Sequence, residues 1–369
     1  MKILQICSAE SIGGGERHVA DLMRVLVERG HEVHCAIRPS SPLRQLLGDA
    51  PIHWHEVKLR NAIDWLSVRR LRKIIAENEI EIAHAHVARD YPLVGMATKA
   101  TPTRFFLTRH HFHPINSNRL YEAAISHTTN LIAVSATVQQ QLASAFPTLT
   151  DRIRIIPNWL DERTLQPVSR QAARAHFGIK KYWALAVIGQ ITPLKRQDLF
   201  LAALKSLTAN YAYERAEFFI IGAANPEDQA YETKLRTMAQ EMGLSERIHF
   251  TGVVADLPKY LAAFDIVVAP SDNEGFSLAT IEAMAAGCAV LATEAGGMAE
   301  IIEHGKTGRL FPPGNAEMLA AEMRFLLFDN RTRQQIGQAA QTAARERYDR
   351  QTIVAQIEAL YEANDAPKN

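Results

Sequence analysis

Residues 271–289 read SDNEGFSLATIEAMAAGCA. A strand-like apolar run, residues 265–270, leads into this stretch, and a short polar loop holding Glu274 and Gly275 follows the run. Apolar residues then recur at helical spacing, which predicts a helix over residues 277–286. Ser277 is a good N-cap, so the N–H groups of the first helical turn face whatever lies above the loop. Such a helix start is an anion site, where a phosphate also gains from the helix dipole.

Glu282 is the only charged side chain between Ala279 and Leu291. An ionised carboxylate in so apolar a helix is costly to bury unless a partner hydrogen-bonds it. A bound ligand or a buried arginine would be such a partner, and an exposed helix face would remove the need for one. The residues alone leave these alternatives open.

The stretch resembles the E-x7-E signature of the retaining glycosyltransferases of family 4. Glu274 and Glu282 are separated by seven residues inside PSDNEGFSLATIEAMAAG, residues 270–287. The similarity continues through GGMAEII at 296–302 and GKTG at 305–308, and it ends at PPG, 312–314. The resemblance implies the GT-B fold, an α/β architecture in which two Rossmann-like doubly wound domains face an interdomain cleft.

Composition agrees with a two-domain globular protein. The chain has 369 residues, of which 47% are hydrophobic and 22% charged. It contains no run near the roughly 18–20 apolar residues that span a bilayer, and its first residues do not form a signal peptide, so we expect a cytoplasmic protein. The three cysteines are scattered and are expected to be buried rather than paired. A net charge of +1 argues against nucleic-acid binding.

Strand-like and helix-like segments alternate in both halves of the chain, as a parallel sheet covered on both faces requires. The predicted strands are residues 2–8, 32–37, 80–86, 103–110, 131–135 and 154–157, then 183–189, 217–222, 248–252, 265–270 and 289–293. We therefore expect an acceptor-side domain over residues 1–165 and a donor-binding domain over residues 166–350. The resemblance implies that a last helix, residues 351–365, packs back on the first domain.

The first predicted strand is followed by SIGGGER, residues 11–17, and a predicted helix over residues 18–29. The glycines let the backbone approach a ligand, although a tight turn alone would also explain them. A dinucleotide fingerprint is not met, because position 18 is histidine rather than glycine. The run resembles the family's G-G-x-E-R loop, which implies that Gly14 and Gly15 contact the donor diphosphate and that Glu16 lies on the acceptor side.

The fifth predicted strand ends in LTRHHFHP, residues 107–114. Three histidines in four residues raise a metal hypothesis, but His111 and His113 would share a strand face while His110 points away, and no acidic partner lies nearby. The family's T-x-H motif aligns with residues 108–110. The resemblance thus implies that His110 lies beside the transferred sugar. His111, expected on the acceptor side, is the alternative for that role if the strand end is bulged.

The first strand of the second half is followed by GQITPLKR, residues 189–196. The family has G-R-x(4)-K at this place, with arginine and lysine both on the diphosphate. Lys195 fits the motif, whereas Gln190 stands where the arginine is expected and lacks its charge and bidentate fork. Arg196 is the candidate to replace that arginine, although it would start a helix that points elsewhere.

Together these motifs predict a retaining glycosyltransferase that moves a sugar from a UDP- or GDP-linked donor to a hydroxyl acceptor. Glu274, His110 and Lys195 are the predicted catalytic residues. The predicted donor contacts are Gly14, Gly15, Gln190, Lys195, Arg196, Gly275, Phe276, Ser277, Leu278 and Glu282. No cofactor or metal is expected, since Lys195 and the helix start supply positive charge and no D-x-D motif occurs.

A saccharide or lipid-linked acceptor is expected by family association, with a role in lipopolysaccharide or exopolysaccharide synthesis. A nucleotide-sugar epimerase of the same fold and a non-catalytic GT-B scaffold are the alternatives. The basic segment KLRNAIDWLSVRRLRK, residues 58–73, is either an amphipathic helix packed on a sheet or a contact with an anionic membrane surface.

Overall fold

The structure is a computed structural model that describes residues 1–112, 115, 118–161, 166–207 and 214–363. The chain divides into two compact units. The first unit comprises Met1–Asn158 and the chain from Gln351 onward, and the second comprises Trp159–Arg350. This division falls shortly before the predicted limit at residue 165.

The first unit is built on a parallel sheet. Its described strands are β1 (Lys2–Cys7), β2 (Glu32–Ile37), β3 (His53–Glu56), β4 (Ile82–Ala85), β5 (Arg104–Arg109), β6 (Asn130–Ala133) and β7 (Ile153–Ile155). They lie in the order β3-β2-β1-β4-β5-β6-β7. The chain therefore reverses its direction of travel across the sheet between β1 and β4, and ligands of open α/β sheets bind at the carboxyl ends beside such a point.

Helices connect these strands. They are α1 (Gly14–Glu28), α2 (Leu43–Leu47), α3 (Trp65–Glu77), α4 (Tyr91–Thr98), α5 (Arg119–Ile125) and α6 (Ala136–Ala145), with a 3₁₀ helix at Pro147–Arg152. Helix α1 starts at Gly14 rather than at the predicted residue 18. The reason is local, because the Glu16 carboxylate accepts the Gly13 N–H at 2.8 Å and so caps the helix from within its first turn.

The second unit contains a second parallel sheet, in the order β10-β9-β8-β11-β12-β13. Its described strands are β8 (Trp183–Ile188), β9 (Ala216–Ile221), β10 (Ile248–Gly252), β11 (Ile266–Ala269), β12 (Ala289–Thr293) and β13 (Arg309–Phe311). Its helices are α7 (Arg170–His176), α8 (Gln197–Leu207), α9 (Gln229–Glu241), α10 (Leu278–Ala285), α11 (Met298–Ile301), α12 (Ala316–Phe328) and α13 (Asn330–Arg347), and 3₁₀ helices lie at Pro193–Lys195, Pro226–Asp228 and Leu257–Ala263. The predicted α/β class and doubly wound sheets are confirmed.

Two strands were missed by the sequence analysis. Strand β3 has the sequence HWHE, and strand β13 has only three residues. Both lie at an end of their sheet, where a strand pairs on one side only and needs no continuous apolar run. The period-2 and apolar-run patterns were therefore too weak to identify them.

The last helix, α14 (Arg350–Glu362), belongs with the first unit from Gln351 onward. Tyr361 is fully buried, and its hydroxyl lies 2.5 Å from Nδ1 of His84 on β4. Its ring meets Phe106 of β5 edge to face, with 5.1 Å between the centroids. Residues 364 and 365 of the predicted helix lie outside the described part of the chain.

All three cysteines are free and buried, as predicted. Across the described residues, no helix combines the length and the apolar character that a membrane span needs.

Candidate active site

Helix α10 starts where the sequence predicts. Ser277 is its N-cap, and the side-chain oxygen of Ser277 accepts the N–H of Thr280 at 3.4 Å. Ser277 is buried, and the Phe276 ring before it packs edge to face on Tyr348 at 5.4 Å between centroids. The loop that leads into α10 is therefore held by an N-cap on one side and an aromatic contact on the other.

Two glycines allow this loop to pack closely against the start of α11. The Gly297 N–H donates to the Glu274 carbonyl at 2.8 Å. A Cβ atom at position 297 would lie 2.2 Å from the Gly275 carbonyl oxygen, and one at Gly296 would lie 2.4 Å from the Glu274 carbonyl oxygen. Because Gly296 also has a positive φ of 54°, only glycine meets both requirements there.

Lys195 and Glu274 form an ion pair. Lys195 Nζ lies 2.6 Å from Glu274 Oε1, and the Ser271 hydroxyl donates to the same oxygen at 2.6 Å. The carboxylate side chain is 11% exposed and the lysine side chain 29%. Together with Ser277, these side chains line one recess at the carboxyl ends of β8 and β11. The structure thus brings the predicted Lys195, Glu274 and Ser277 to one place.

Arg196 forms two ion pairs within the second unit. Its guanidinium donates to Asp198 at 3.1 Å and to Asp272 at 2.6 Å, and the residue has a positive φ of 51°. The charge of Arg196 is thereby compensated by two carboxylates. The Gln190 residue is exposed, and its carbonyl accepts a hydrogen bond from the buried Gln197 at 3.0 Å. A role for Gln190 and Arg196 toward the donor stays a prediction.

Glu282 and Leu278 both lie on α10 and are partly buried. Glu282 is therefore neither deep in the core nor on a fully exposed face. Gly275 is buried within the loop between Glu274 and Phe276. Donor contacts by Glu282, Leu278 and Gly275 stay predictions.

In the first unit, a cavity of about 260 Å³ is lined by four of the five predicted site residues of that unit. Its lining includes Gly15, Glu16, His110 and His111, and also His86. Gly14 is exposed in the first turn of α1, and a Cβ atom at Gly15 would touch the His110 side chain at 3.7 Å. The glycine run thus lies directly against His110. Glu16, predicted on the acceptor side, uses its carboxylate to cap α1.

His110 is joined to two residues that the sequence analysis missed. Its Nε2 lies 3.4 Å from Nδ1 of His86, and Nε2 of His86 lies 2.6 Å from Oε1 of Gln5. Burial lowers the pKa of both histidines well below the usual value, so both rings are neutral at neutral pH. The position of His86 directly after β4, at the carboxyl edge of the sheet, was the available signal.

The predicted absence of a metal at the histidine run of the fifth strand stays a prediction. His110 is buried and His111 is exposed, while His113 lies outside the described residues.

A different cavity in the second unit, of about 860 Å³, lies away from the Lys195–Glu274 pair. Its lining includes Arg174, Lys180, Asp265 and Arg333, beside the amino ends of β8 and β11. This cavity lies at the amino edge of the sheet, whereas α/β proteins bind nucleotides at the carboxyl edge. The smaller recess at Lys195 is therefore the candidate site.

Comparison with known proteins identifies the family of the chain. Residues 12–163 match the model of Glycosyltransferase Family 4, and residues 169–343 match that of Glycosyl transferases group 1. The chain is 25% identical to the N-acetyl-alpha-D-glucosaminyl L-malate synthase of Bacillus anthracis, covering 95% of this chain and 94% of that protein. It is 29% identical to the phosphatidyl-myo-inositol mannosyltransferase of Mycolicibacterium smegmatis, covering 98% and 94%.

Solved structures show the same fold. The crystal structure of Anabaena HepE in complex with UDP and glucose superimposes with a TM-score of 0.87 at 23% identity, covering 98% of this chain and 100% of that one. Sucrose-phosphate synthase from Thermosynechococcus elongatus gives a TM-score of 0.81 at 19% identity, covering 98% of each chain. The two family models together cover most of the chain, which belongs to the group 1, family 4 glycosyltransferases and has the GT-B fold.

Proposed function

We propose that this glycosyltransferase transfers a sugar with retention from a nucleotide diphosphate sugar to a hydroxyl group, and that Lys195 and Glu274 carry the donor chemistry. The observation that carries the proposal is the 2.6 Å ion pair between them, beside the N-cap of α10. As the anomeric bond breaks, negative charge grows on the leaving diphosphate. The Lys195 ammonium and the first N–H groups of α10 would stabilise that charge.

In this scheme the bound donor separates Lys195 from Glu274, and each of the two side chains then contacts the donor. Lys195 turns to the diphosphate, while Glu274 stays oriented by the Ser271 hydroxyl and accepts hydrogen bonds from the sugar. Glu282, one helical turn beyond the N-cap region, would hold the ribose hydroxyls, and His110 would contact the transferred sugar. Attack assisted by the leaving phosphate accounts for retention without a covalent glycosyl intermediate.

The substitution Lys195→Gln tests the leaving-group role. We expect kcat to fall roughly 100- to 1,000-fold, the cost of about 3–4 kcal/mol of lost charge stabilisation. Lys306→Gln is the matched control, because Lys306 is an exposed lysine paired with Glu303 at 3.0 Å in the same unit. Turnover would be measured across a panel of UDP-, GDP- and ADP-sugars. Wild-type turnover in Lys195→Gln would refute the assignment.

We propose further that the transfer itself needs no divalent metal, since Lys195 and the helix start supply positive charge at the leaving group. Turnover with and without added Mg²⁺ is expected to be equal in the same assay.

A saccharide or lipid-linked acceptor is the proposed acceptor class. One relative is named a phosphatidyl-myo-inositol mannosyltransferase and another an N-acetyl-alpha-D-glucosaminyl L-malate synthase, so one of the two names includes a lipid and the other does not. A surface of the first unit favours the lipid-linked case. Ile63, Trp65 and Leu66 are 70%, 66% and 68% exposed at the start of α3.

Helix α3 buries Val68, Leu71 and Ile74, as expected of an amphipathic helix. The apolar residues at its start remain exposed, and six exposed cations flank them in the sequence: Lys58, Arg60, Arg69, Arg70, Arg72 and Lys73. The one acidic residue of the segment, Asp64, is used as the N-cap of α3. Exposed tryptophan and leucine in a segment rich in exposed cations fit the surface of an anionic membrane. We propose that this surface holds the protein peripherally at the inner face of the membrane.

Vesicle co-sedimentation tests this surface. The double substitution Trp65→Ser and Leu66→Ser is expected to weaken binding to phosphatidylserine-containing vesicles at least about tenfold, since burial of each such side chain contributes roughly 1.5–3 kcal/mol. Phe328→Ser, at a residue 57% exposed in the second unit, is the control. Equal binding of the double variant and the wild type would contradict the proposal.

A further inference from the structure

A group of polar side chains lies on one face of the sheet of the first unit, at strands β2 and β3. The two strands are parallel, with His34 paired to His53 and Ala36 paired to His55. Because side chains alternate along a strand, Glu32 and His34 share a face of β2, and His53 and His55 share the adjoining face of β3. The register thus places a carboxylate and three imidazoles side by side.

Three of these residues come close enough to hold one ion. One ligand atom from each of Glu32, His34 and His53 lies within 4.8 Å of the other two. Nε2 of His34 lies 2.9 Å from Oε1 of Glu32, and the His34 and His53 rings stack with 4.6 Å between centroids. Small side-chain rotations would bring two imidazole nitrogens and a carboxylate oxygen to one centre.

His55 supports the central ligand. Its Nε2 lies 3.0 Å from Nδ1 of His34. A metal on Nε2 of His34 requires the proton on Nδ1, and a neutral His55 accepts that proton in a hydrogen bond.

We propose that Glu32, His34 and His53 form a site for a divalent transition-metal ion of the zinc class, which joins strand β3 to β2. Two imidazoles and one carboxylate are a zinc donor set, with water completing the tetrahedron. Strand β3 is an edge strand paired with β2 alone among the described strands, so a cross-strand link adds most to its stability. Glu32 is the first residue of β2, at the amino edge of the sheet. The site is therefore structural and separate from the proposed transfer chemistry.

Calorimetric titration of the chelator-treated, desalted full chain with zinc chloride, in excess Mg²⁺, tests the proposal. We expect one zinc ion per chain and a thermal midpoint that rises on binding. His53→Gln should weaken zinc affinity at least tenfold, and because His53 is exposed the variant is expected to fold. His55→Gln should weaken it by about 10- to 100-fold through its hydrogen bond to His34.

His249→Gln is the matched control. His249 is a partly exposed histidine of the second unit that also lies beside a glutamate, with Nε2 3.5 Å from Glu217. Its substitution should leave the affinity unchanged. Cobalt absorption gives a second readout, since a tetrahedral site yields intense visible bands that His53→Gln should abolish. Absence of zinc binding, or equal affinity in His53→Gln and wild type, would overturn the proposal.

Discussion

At the scale of single residues, Gly297 sets the position of the loop that carries Glu274. Its backbone is already helical, with φ of −66°, so an alanine there would meet no conformational penalty. The added Cβ atom would instead lie 2.2 Å from the Gly275 carbonyl oxygen and push the loop away. We expect Gly297→Ala to lower kcat/KM about 100-fold, because shifts near 1 Å in a site have that effect.

Gly305→Ala is the control for this variant. It distinguishes the steric clash at position 297 from the general effect of replacing a glycine by alanine. Gly305 has a positive φ of 78° but no atom within 4 Å of the position of an added Cβ. Its substitution should cost about 1 kcal/mol in the free energy of unfolding and leave kcat/KM unchanged. Steady-state kinetics of the two variants decide the point, and equal kinetics would show that the loop tolerates the added methyl group.

At the scale of elements, helix α14 completes the core of the first unit although it is last in the chain. Tyr361 inserts its ring beside Phe106 and its hydroxyl beside His84. Tyr361→Ala would leave a cavity in this core, and we expect the free energy of unfolding to fall by about 3–5 kcal/mol. Urea unfolding measures it, with the half-exposed Phe328→Ala as control. A loss below 1 kcal/mol would mean that α14 is peripheral to the core.

The elements also show what the sequence could predict. Helix α10 was found with its N-cap because Ser277 and the apolar spacing after it are local signals. The start of α1 was missed, because the Glu16 carboxylate caps Gly13 across a run of glycines that suggested a loop. Strand β3 was missed because its residues are polar, and the pairing of His34 with His53 becomes visible only in the folded sheet.

At the scale of the whole molecule, the sheet topology explains why distant motifs meet. Lys195 follows β8 and Glu274 follows β11, and these strands are neighbours although about eighty residues separate the two side chains. The sequence predicted both residues, but their direct pairing depends on the contact between two loops, which no local pattern encodes. For the same reason the bonds of Arg196 to Asp198 and Asp272 were not foreseen.

The buried histidines of the first unit give the molecule a pH dependence. Burial lowers the pKa of His18 and of His84 to about 3, and those of His86 and His110 are also lowered. The unfolded chain therefore takes up protons near pH 6.5 that the folded chain does not. Above that pH these histidines do not lower the free energy of unfolding. As the pH falls from about 6.5 toward 3, the free energy of unfolding decreases by up to about 1.4 kcal/mol per pH unit for each histidine.

Asp90 acts in the opposite direction, because burial raises its pKa to about 6. It is one group against these four histidines, and burial also lowers the pKa values of His34, His55 and His127. We therefore expect the urea midpoint of the metal-free protein to be lower at pH 5.0 than at pH 7.5. His18→Leu removes one of the four groups and should make this pH dependence shallower. The partly exposed His249→Gln should leave it unchanged. Equal midpoints at the two pH values would contradict the expectation. They would mean that the histidine rings take up protons in the folded unit, and that these rings are less buried than the contact between His18 and His110 indicates.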